Sequence, residues 1–453
     1  MDAQLLRDTL ADRDHDLLER DVPVRLLLLA ALAGEHVLLI GPPGTAKSEL
    51  ARRLQRSFTD TRYFERLLTR FSVPEELFGP LSLKALEQDR YERLVEGFLP
   101  SAHIAFLDEV FKANSAILNA LLTLLNEREF DNGSGRIRVP LLSVVGASNE
   151  VPDDEALHAF YDRFLLRVPV APVNDASFRA LLALPMEASI GTARISQLML
   201  AGLRMSSQSV TLGEPVAGLL TQARAWCASH HCAVSDRRWR KLVGLLKVQA
   251  ASRHVHAVAA WDLWLLPFVL AQQTAQTGEL VQWFMETVAH AAPVDVSWLT
   301  RAAEAFEKQL EIESRAQATH DEGAGKVALA RAISAPGSGA ADGMVRIVAQ
   351  GAQRRYCQLH VDTRVAQVFE VLRRAQTALD AALASALEAL GEARGHAWLP
   401  PSWLARIDAV HRANGQTTAA LVTRLQQLRQ GFAALPVDQR AVNIAPAPVA
   451  LAA

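Results

Sequence analysis

Short, continuous runs of apolar residues recur through the first 170 positions of this chain. Such a run, when it stops at glycine or at a polar residue, is typical of a parallel strand that is buried on both faces. The predicted strands cover residues 36–40, 63–68, 103–107, 139–147 and 164–170. Residues 115–128, by contrast, have apolar positions at helical spacing after a predicted N-cap, Asn114. Strands that alternate with helices predict an α/β fold in which helices cover both faces of a parallel sheet.

Strand signals stop near residue 175, and the remaining patterns are mainly helical. A stretch rich in glycine, alanine and serine at 334–343 predicts a linker, and the runs at 344–348 and 357–361 predict a short strand pair. Helices are predicted again at 363–394 and 402–432. These patterns divide the chain into an α/β core at 1–190, a helical domain at 191–305, a helical C-terminal arm at 306–440 with a short β-ribbon insert at about 336–362, and a disordered tail at 441–453.

Composition and charge narrow the class of protein. The formal net charge of −2 creates no basic field over the whole chain, which argues against nucleic acid as the main partner. No apolar stretch approaches the ~20 residues that span a bilayer, and the N-terminus lacks a basic segment followed by an apolar one. Three cysteines are too few for a disulfide framework and suit a reducing compartment. We therefore expect a cytoplasmic protein without a membrane span.

Two of the cysteines lie close to two histidines in one short segment, which contains Cys227, His230, His231 and Cys232. Thiolate and imidazole groups are zinc ligands, but this spacing matches no familiar zinc motif. A helix end followed by a loop explains the cluster equally well. We therefore expect no metal ion at this segment.

A glycine-rich loop follows the first predicted strand and precedes a predicted helix. The nucleotide-binding candidates are Gly41, Pro42, Pro43, Gly44, Thr45, Ala46, Lys47, Ser48 and Glu49. A loop in this context turns its backbone N–H groups toward a phosphate, and the helix N-terminus adds the positive end of its dipole. Lys47 is expected to neutralise the β- and γ-phosphates of ATP, and Ser48 to bind Mg²⁺. Ala46 stands where the strict pattern has glycine, and we expect helical dihedrals there, which tolerate a methyl group.

Polar residues also follow two of the other predicted strands. Asp108 and Glu109 come directly after the apolar run 103–107. This is the Walker B arrangement, in which Asp108 holds the Mg²⁺ shell and Glu109 accepts a proton from the attacking water. Asn149 follows the run 139–147, where an amide is suited to orient that water. Taken alone, Asn149 is equally well explained as an ordinary turn residue.

These residues and several longer motifs resemble the MoxR family of AAA+ ATPases, and most closely its RavA subfamily. The resemblance covers roughly residues 15–310. It implies a P-loop NTPase of the AAA+ type, with a parallel sheet between two layers of helices, followed by an all-α lid and a helical C-terminal arm. The motifs that carry the resemblance are the loop with alanine before the lysine, the segments 69–80, 106–109, 116–119 and 126–128, and Tyr161-Asp-Arg-Phe164.

The resemblance implies roles that the residues alone do not give. Asn149 matches sensor 1, and Arg163 matches the arginine finger, which completes the site of a neighbouring subunit. For Arg163 the alternative is a salt bridge with Asp162 or a cap at a helix end. Arg237 is assigned to sensor 2 ahead of Arg238, and whether it acts on its own subunit's nucleotide or on a neighbour's stays open. The basic cluster around them also has an alternative use, as a nucleic-acid patch.

Partners follow from the same resemblance. A finger that acts in trans implies a homo-oligomeric ring, expected to be a hexamer, and MoxR proteins usually work with a von Willebrand factor A domain protein. RavA proteins carry an inserted β-rich domain that contacts a lysine decarboxylase, but the interval at 336–362 has space for a β-ribbon at most. This argues against a lysine decarboxylase partner. Insertions at 78–100 and 130–138 predict two hairpins near the pore or the upper face of a ring, or simply two inert surface hairpins.

The leading hypothesis is an ATP hydrolase that forms a ring, uses Mg²⁺ and remodels or matures a protein client in a chaperone-like manner. The alternative is a nucleic-acid-dependent motor of the helicase type, against which the near-neutral charge argues. A nucleotide-gated scaffold that hardly hydrolyses ATP is a third possibility, against which Glu109 argues. The sequence does not identify the client.

Overall fold

The structure, a computed structural model, describes residues 3–133, 135–152, 154–185, 193–292, 294–315, 356–439 and 441–450. The chain divides into two compact units. The first comprises residues 1–290 with 390–407, and the second comprises residues 291–389 with 408–453. A hydrophobic core of its own holds each unit together.

A five-stranded parallel sheet forms the core of the first unit. The strands of the chain are β1 (Val37–Ile40), β2 (Tyr63–Leu67), β3 (Ile104–Asp108), β4 (Glu129–Asn132), β5 (Gly135–Arg138), β6 (Ser143–Ser148) and β7 (Leu166–Pro169). Five of them lie in the order β2-β3-β6-β1-β7, and each neighbouring pair is parallel. The predicted parallel α/β sheet is therefore confirmed. Because parallel strands end at a common edge, the residues that follow β1, β3 and β6 emerge side by side.

Helices surround this sheet and continue beyond it. In the first unit they are α1 (Ala3–Asp14), α2 (Asp21–Ala33), α3 (Lys47–Gln55), α4 (Pro74–Phe78), α5 (Leu83–Leu86), α6 (Ser115–Glu127), α7 (Glu155–Tyr161), α8 (Asp175–Leu182), α9 (Gln197–Gln208), α10 (Glu214–Ser229), α11 (Asp236–Ser252), α12 (Leu266–Leu270) and α13 (Thr274–Thr287). Residues 23–32 of α2 are all buried, so this helix is packed inside the unit. Asn114 caps α6 by accepting the N–H of Ile117 (3.1 Å), as its position predicts.

The two predicted hairpins have different outcomes. β4 and β5 pair antiparallel, with Gly133 at φ 72° in the turn, which confirms the hairpin predicted at 130–138. A Cβ at Gly133 would come 1.3 Å from the carbonyl oxygen of Tyr91, so this position requires glycine. The segment 78–100 instead contains the short helix α5 and a bridge between Leu81 and Arg93. The hairpin predicted there is present only in part: the N–H of Ser82 donates to Glu92 (2.8 Å) and that of Leu94 to Pro80 (2.9 Å). The pairing stops at this single bridge because Ser82 caps α5 at the place where a strand would have continued.

Three long helices form the second unit's core, although α15 and α16 also extend into the first unit. They are α14 (Ser297–Arg315), α15 (Gln358–Gly395) and α16 (Pro401–Ala433). Apolar side chains from all three meet, including Phe306, Val368, Leu425 and Phe432. Near the start of α15, Arg364 forms a buried ion pair with Glu313 (2.9 Å).

The strand predicted at 357–361 is wrong. Residues 358–361 belong to α15, whose buried or partly buried residues Val361, Val365, Val368 and Leu372 recur at intervals of four, three and four. A window of five residues cannot distinguish this helical spacing from the alternation of a strand. The rest of the predicted ribbon, up to residue 355, lies outside the described residues.

The tail predicted as disordered is described from residue 441 to residue 450. It contains no helix or strand in that range. The carbonyl oxygen of Ala447 nevertheless accepts a hydrogen bond from Arg364 (2.7 Å), and Val449 packs against the core of the second unit. This part of the tail therefore has a defined place. None of the helices in the described ranges is both long enough and apolar enough to cross a membrane.

His36 joins three elements at the edge where β1 begins. Its imidazole is 2 % exposed. Nδ1 accepts the N–H of Val144 in β6 (3.0 Å), and Nε2 donates to the carbonyl oxygen of Leu125 in α6 (3.1 Å). Burial lowers the pKa of His36 from 6.5 to about 3, with a smaller contribution from the positive charge of Arg128. The folded protein therefore holds this side chain neutral.

We expect His36 to make folding stability depend on pH. Between pH 6.5 and about 3 the unfolded chain protonates this histidine and the folded chain does not. The stabilisation that His36 contributes is therefore complete above pH 6.5. Below that pH the free energy of unfolding falls by about 1.4 kcal/mol for each pH unit. His36→Gln should reduce the drop in melting temperature between pH values of about 7.5 and 5.5, followed by circular dichroism. The control His256→Gln, at an exposed imidazole, should leave the drop unchanged; an undiminished drop in His36→Gln would contradict this role.

Candidate active site

The glycine-rich loop connects β1 to α3 at the carboxyl edge of the sheet. A Cβ at Gly41 would lie 2.0 Å from the carbonyl oxygen of Val170, and Gly44 has φ 79°, so both positions require glycine. The N–H groups of residues 44–48 donate to no acceptor within the ranges that the structure describes. Unpaired N–H groups at a helix start are the groups that bind phosphate oxygens. The loop therefore fits the phosphates of a nucleotide.

Ala46 is the N-cap of α3, with φ 66° and ψ 26°. These are left-handed dihedrals, so the expectation that Ala46 has the conformation of the following helix is wrong. The backbone must reverse its hand at this residue for the N–H groups on either side to turn inward together. A residue with a Cβ pays about 1–2 kcal/mol for this conformation, which explains why the strict pattern has glycine here.

Lys47 lies within the loop, with its side chain largely buried. Its Nζ donates to the carbonyl oxygens of Gly41 (2.6 Å) and Pro42 (2.9 Å). Burial lowers the pKa of Lys47, while the carboxylates of Asp108 and Glu109 act in the opposite direction. The lysine is therefore a cation held between the loop and the acidic pair.

Ser48 and Glu49 occupy the first turn of α3. Glu49 accepts a hydrogen bond from Arg53 (3.0 Å), and Arg53 is buried and donates to the carbonyl oxygen of His15. Glu49 therefore helps to attach α3 to the segment after α1. Its predicted contact with the nucleotide stays a prediction.

The acidic pair and Asn149 meet beside the loop. Asp108 is the last residue of β3, and its Oδ1 accepts the N–H of Glu109 (3.0 Å). Asn149 follows β6, and its Nδ2 donates to Oε1 of Glu109 (2.6 Å). The Nζ atom of Lys112 lies 3.3 Å from Oε2 of the same carboxylate. Both oxygens of Glu109 are thus held, one by an amide and one by an ammonium group.

The predicted magnesium ligands are the Ser48 hydroxyl and the Asp108 carboxylate. Both are oxygen donors, which Mg²⁺ prefers. The described part of the chain contains no cluster of three or more His, Cys, Asp or Glu side chains that could hold a metal ion. One or two protein oxygens together with substrate phosphates are the usual way in which Mg²⁺ is bound to nucleotides. The donor set therefore fits a metal ion that arrives with a nucleotide.

The predicted arginine finger and the predicted sensor 2 arginine lie at the opposite edge of the sheet. Arg163 is in the turn between α7 and β7, just before β7 begins. Arg237, in the first turn of α11, donates to Oδ1 of Asn126 at the end of α6 (2.9 Å). That end of α6 lies at the start of β1, where Arg128 donates to the carbonyl oxygen of Gly34. Four residues of β1 at about 3.3 Å each separate this edge from the loop, so the structure does not bring these arginines to their own chain's loop.

Sequence reasoning missed the residues that hold the Arg163 turn. Arg238, which was considered for sensor 2, is 2 % exposed and donates to Oδ1 of Asp162 (2.9 Å). Arg167 approaches the same oxygen (3.4 Å) and lies over the ring of Tyr161 (3.8 Å). Tyr161, Asp162 and Arg167 line a cleft of about 600 Å³ together with Ser235 and Gln272. An arginine inside an apolar strand such as β7 was the available signal, because a buried cation needs partners.

The segment with two cysteines and two histidines is a helix end followed by a loop. α10 ends at Ser229, and the next residue, His230, stacks on Trp226 with ring centroids 3.9 Å apart. Cys227 and Cys232 are buried, and the N–H of Cys232 donates to the carbonyl oxygen of Cys227 (2.9 Å). These contacts fit the interpretation of this segment as a helix end followed by a loop.

The sheet order and the loop define a P-loop NTPase of the AAA+ class. Residues 4–203 match the family model described as the MoxR domain in the MoxR-vWA-beta-propeller ternary systems, and residues 215–284 match that of an AAA lid domain. The chain therefore contains a MoxR-family AAA+ ATPase domain followed by an AAA lid. Its assignment to the RavA subfamily stays a prediction.

Individual proteins are similar to parts of this chain. An uncharacterized protein of Methanocaldococcus jannaschii is 43 % identical over 231 residues, which are 51 % of this chain and 60 % of that protein. A second uncharacterized protein of that organism is 52 % identical over 159 residues, 35 % of this chain and 42 % of that protein. Protein MoxR of Paracoccus denitrificans is 29 % identical over 223 residues, 46 % of this chain and 65 % of that protein. The chain thus covers less than two thirds of the length of these relatives.

A solved structure is similar in fold. The crystal structure of a candidate ATPase from Cytophaga hutchinsonii matches with a TM-score of 0.52 at 17 % identity, covering 63 % of this chain and 94 % of that chain. At this level of identity the match shows the fold alone. It agrees with the parallel sheet between helices described above.

We expect Ala46→Gly to stabilise the folded protein. Glycine adopts a left-handed φ without the cost of a Cβ, and this gain exceeds the entropy that glycine adds to the unfolded chain. The net gain should be about 0.5 kcal/mol, seen as a higher melting temperature. The control Ala201→Gly, at an exposed position in α9, should instead lose about 0.5–1 kcal/mol. Equal losses at both positions would show that Ala46 is not strained.

Proposed function

We propose that this protein is an ATP hydrolase whose active site is completed by a neighbouring copy, and that hydrolysis drives the remodelling of a protein client. One observation carries the proposal: two sets of functional groups lie at opposite edges of one sheet. Lys47, Asp108, Glu109 and Asn149 belong to the carboxyl edge. Arg163 belongs to the amino edge. The two sets can act on one nucleotide only if two copies of the chain meet.

In the proposed reaction, water attacks the γ-phosphorus of ATP and the bond to the bridging oxygen of ADP breaks. The products are ADP and inorganic phosphate. Lys47 exchanges its loop carbonyls for the β- and γ-phosphate oxygens, whose negative charge is the stronger partner. Ser48 and Asp108 hold the Mg²⁺ that accompanies the nucleotide, and this ion supplies neutralisation of the phosphate charge. Glu109 takes the proton of the attacking water.

The position of Glu109 decides whether this proton transfer is possible. A general base must lie within hydrogen-bond reach of the water that it activates. Asn149 holds one carboxylate oxygen at 2.6 Å, and Lys112 lies 3.3 Å from the other. These contacts fix the carboxylate at the edge where the loop also lies, and they support the proposed sensor 1 role of Asn149.

The same geometry supports a ring in which Arg163 and Arg237 act in trans. Both arginines lie at the amino edge, where neither approaches the loop of its own chain. An arginine finger that stabilises the charge of phosphoryl transfer is worth roughly 10³- to 10⁵-fold in rate. Closed rings arise when each copy presents one edge to the other edge of the next. We assign the ring six subunits by resemblance to MoxR-family proteins.

Partner proteins supply the specificity in this proposal. The matching family is described from systems that combine MoxR, a von Willebrand factor A domain and a β-propeller. We propose a von Willebrand factor A domain protein as the partner of this chain, with a β-propeller protein as the third member. A relation to the RavA subfamily supports the same kind of partner, and the lysine decarboxylase of that subfamily is left out because the interval at 336–362 is too short for the domain that binds it.

We expect Lys47→Ala to abolish ATP binding, whereas Arg163→Ala retains ATP but loses turnover by about 10³-fold or more. Nucleotide binding is measured by equilibrium dialysis and turnover by phosphate release. A mixture of Arg163→Ala and Glu109→Gln subunits should regain activity, because an intact base and an intact finger then meet at shared interfaces. Neither variant alone should be active.

The mixture also separates cis from trans action. If no ratio of Arg163→Ala to Glu109→Gln subunits restores phosphate release, the finger does not act in trans. The same mixture made with Arg237→Ala tests sensor 2: recovery supports action on the neighbour's nucleotide, and lack of recovery supports action on its own. The matched control is Lys241→Met. Lys241 lies on α11, as Arg237 does, and pairs with Glu35 (2.6 Å); this variant should turn over ATP normally.

We expect ATP-loaded Glu109→Gln protein to retain a von Willebrand factor A domain protein from a lysate of the source cells. The base variant holds ATP without hydrolysing it, so a partner that prefers the ATP state stays bound. Mass spectrometry identifies the retained proteins. Lys47→Ala protein, which does not bind ATP, is the control, and equal recovery by both variants would argue against nucleotide-dependent partnership.

A further inference from the structure

The turn that carries Arg163 is held from both sides by buried guanidinium groups. Arg238 donates to the carbonyl oxygens of Phe164 (3.0 Å) and Leu165 (2.6 Å). It also donates to the Asp162 side chain (2.9 Å). Arg167 donates to the carbonyl oxygen of Tyr161 (3.5 Å) and to the same Asp162 oxygen (3.4 Å). The backbone immediately before and after Arg163 is therefore fixed by these two side chains.

Arg238 belongs to the lid and not to the core. It lies in the first turn of α11, where its N–H is capped by Ser235 and the residue before it is Arg237. Its Nε donates to the carbonyl oxygen of Val269, another lid residue. Arg238 thus connects the start of α11 to the turn that contains Arg163. Arg163, the predicted finger, follows Asp162 in the sequence, and Arg237, the predicted sensor 2 residue, precedes Arg238.

A single carboxylate balances two buried cations at this connection. Arg238 is 2 % exposed and Arg167 is 3 % exposed. Burial lowers the pKa of Arg167 to about 9 and also lowers that of Arg238, while Asp162 raises both. Removing one partner of such a buried pair leaves an uncompensated charge. We therefore expect the removal of the Asp162 charge to weaken this connection.

We propose that Asp162, together with Arg238 and Arg167, positions Arg163 and Arg237 relative to each other, so that both enter a neighbouring copy's nucleotide site as one rigid pair. This inference rests on the proposed function, because it requires that Arg163 acts in trans. Asp162 is a positioning residue and not a catalytic residue, since its Oδ1 atom accepts hydrogen bonds from Arg238 and Arg167 of its own chain. The consequence is that the lid, through α11, determines where the finger points.

The test uses mixed rings in which one subunit can supply only a finger. Arg163→Ala subunits have an intact loop and base but no finger, and Glu109→Gln subunits have a finger but no base. Turnover of the mixture then reports on the Arg163 turn of the Glu109→Gln subunit alone. We expect the donor Glu109→Gln/Asp162→Asn to restore about 10- to 100-fold less phosphate release than Glu109→Gln, since a displacement of about 1 Å costs this much in rate.

The loss should appear in kcat, with the KM for ATP within about twofold of that of the unmodified mixture, because the acceptor's loop is unchanged. The donor Glu109→Gln/Arg238→Lys should behave in the same way, because an ammonium group keeps the charge but cannot reach both carbonyl oxygens. The matched control is Glu109→Gln/Glu35→Gln. Glu35→Gln removes the ion pair with Lys241, which lies on α11 as Arg238 does. Neither residue bonds to the turn that contains Arg163, so this donor should restore full activity.

Each outcome decides the matter. If Glu109→Gln itself restores nothing, the trans arrangement of the proposed function fails. If Glu109→Gln and Glu109→Gln/Asp162→Asn restore equal activity, the trans arrangement stands and the positioning role is refuted. Melting temperature and ATP retention check that each donor is folded. Should Asp162→Asn not fold, Asp162→Glu keeps the charge but displaces the turn by one methylene group; full activity with that donor refutes the role.

Discussion

The structure depends on one constraint: a parallel sheet that is buried on both faces can place polar side chains only where its strands end. β1, β3 and β6 are apolar or small along their buried length. The loop after β1, the acidic pair after β3 and Asn149 after β6 therefore gather at one edge. The turn before β7 and the end of α6 gather at the other. Strand length keeps the two groups apart.

The lid is attached to this sheet through hydrogen bonds that are costly to break. Arg238 brings its charge into the interior, where only the Asp162 carboxylate and the nearby carbonyl oxygens can satisfy it. If the lid moved away, Arg238 would lose the Asp162 carboxylate and the carbonyl oxygens of the turn, so these contacts oppose the separation. Movements of the lid and of the Arg163 turn are for this reason coupled. A displacement of α11 is therefore transmitted to the Arg163 turn by the same contacts.

Much of the core could be predicted because its signals are local. A buried strand followed by glycine, or by Asp108 and Glu109, has a meaning that depends on a few neighbouring residues. Two predictions failed because they depended on residues outside the short segment from which they were made. The strand at 357–361 was wrong because five residues do not reveal the helical period that continues to Leu372. The prediction of helical dihedrals for Ala46 was wrong because the handedness of the backbone there is set by the whole loop and not by the following helix.

The sequence by itself determined the nucleotide loop, the acidic pair and the parallel α/β core, since these follow from residue types at fixed spacing. Only the tertiary structure decided which of two adjacent arginines is buried. Arg237 and Arg238 are indistinguishable in sequence, but the direction of α11 turns one toward Asn126 and the other toward Asp162. Which edge each functional group occupies was likewise decided by strand order. Contacts between residues about 75 and 110 positions apart have no local signal, because they exist only once the chain has folded.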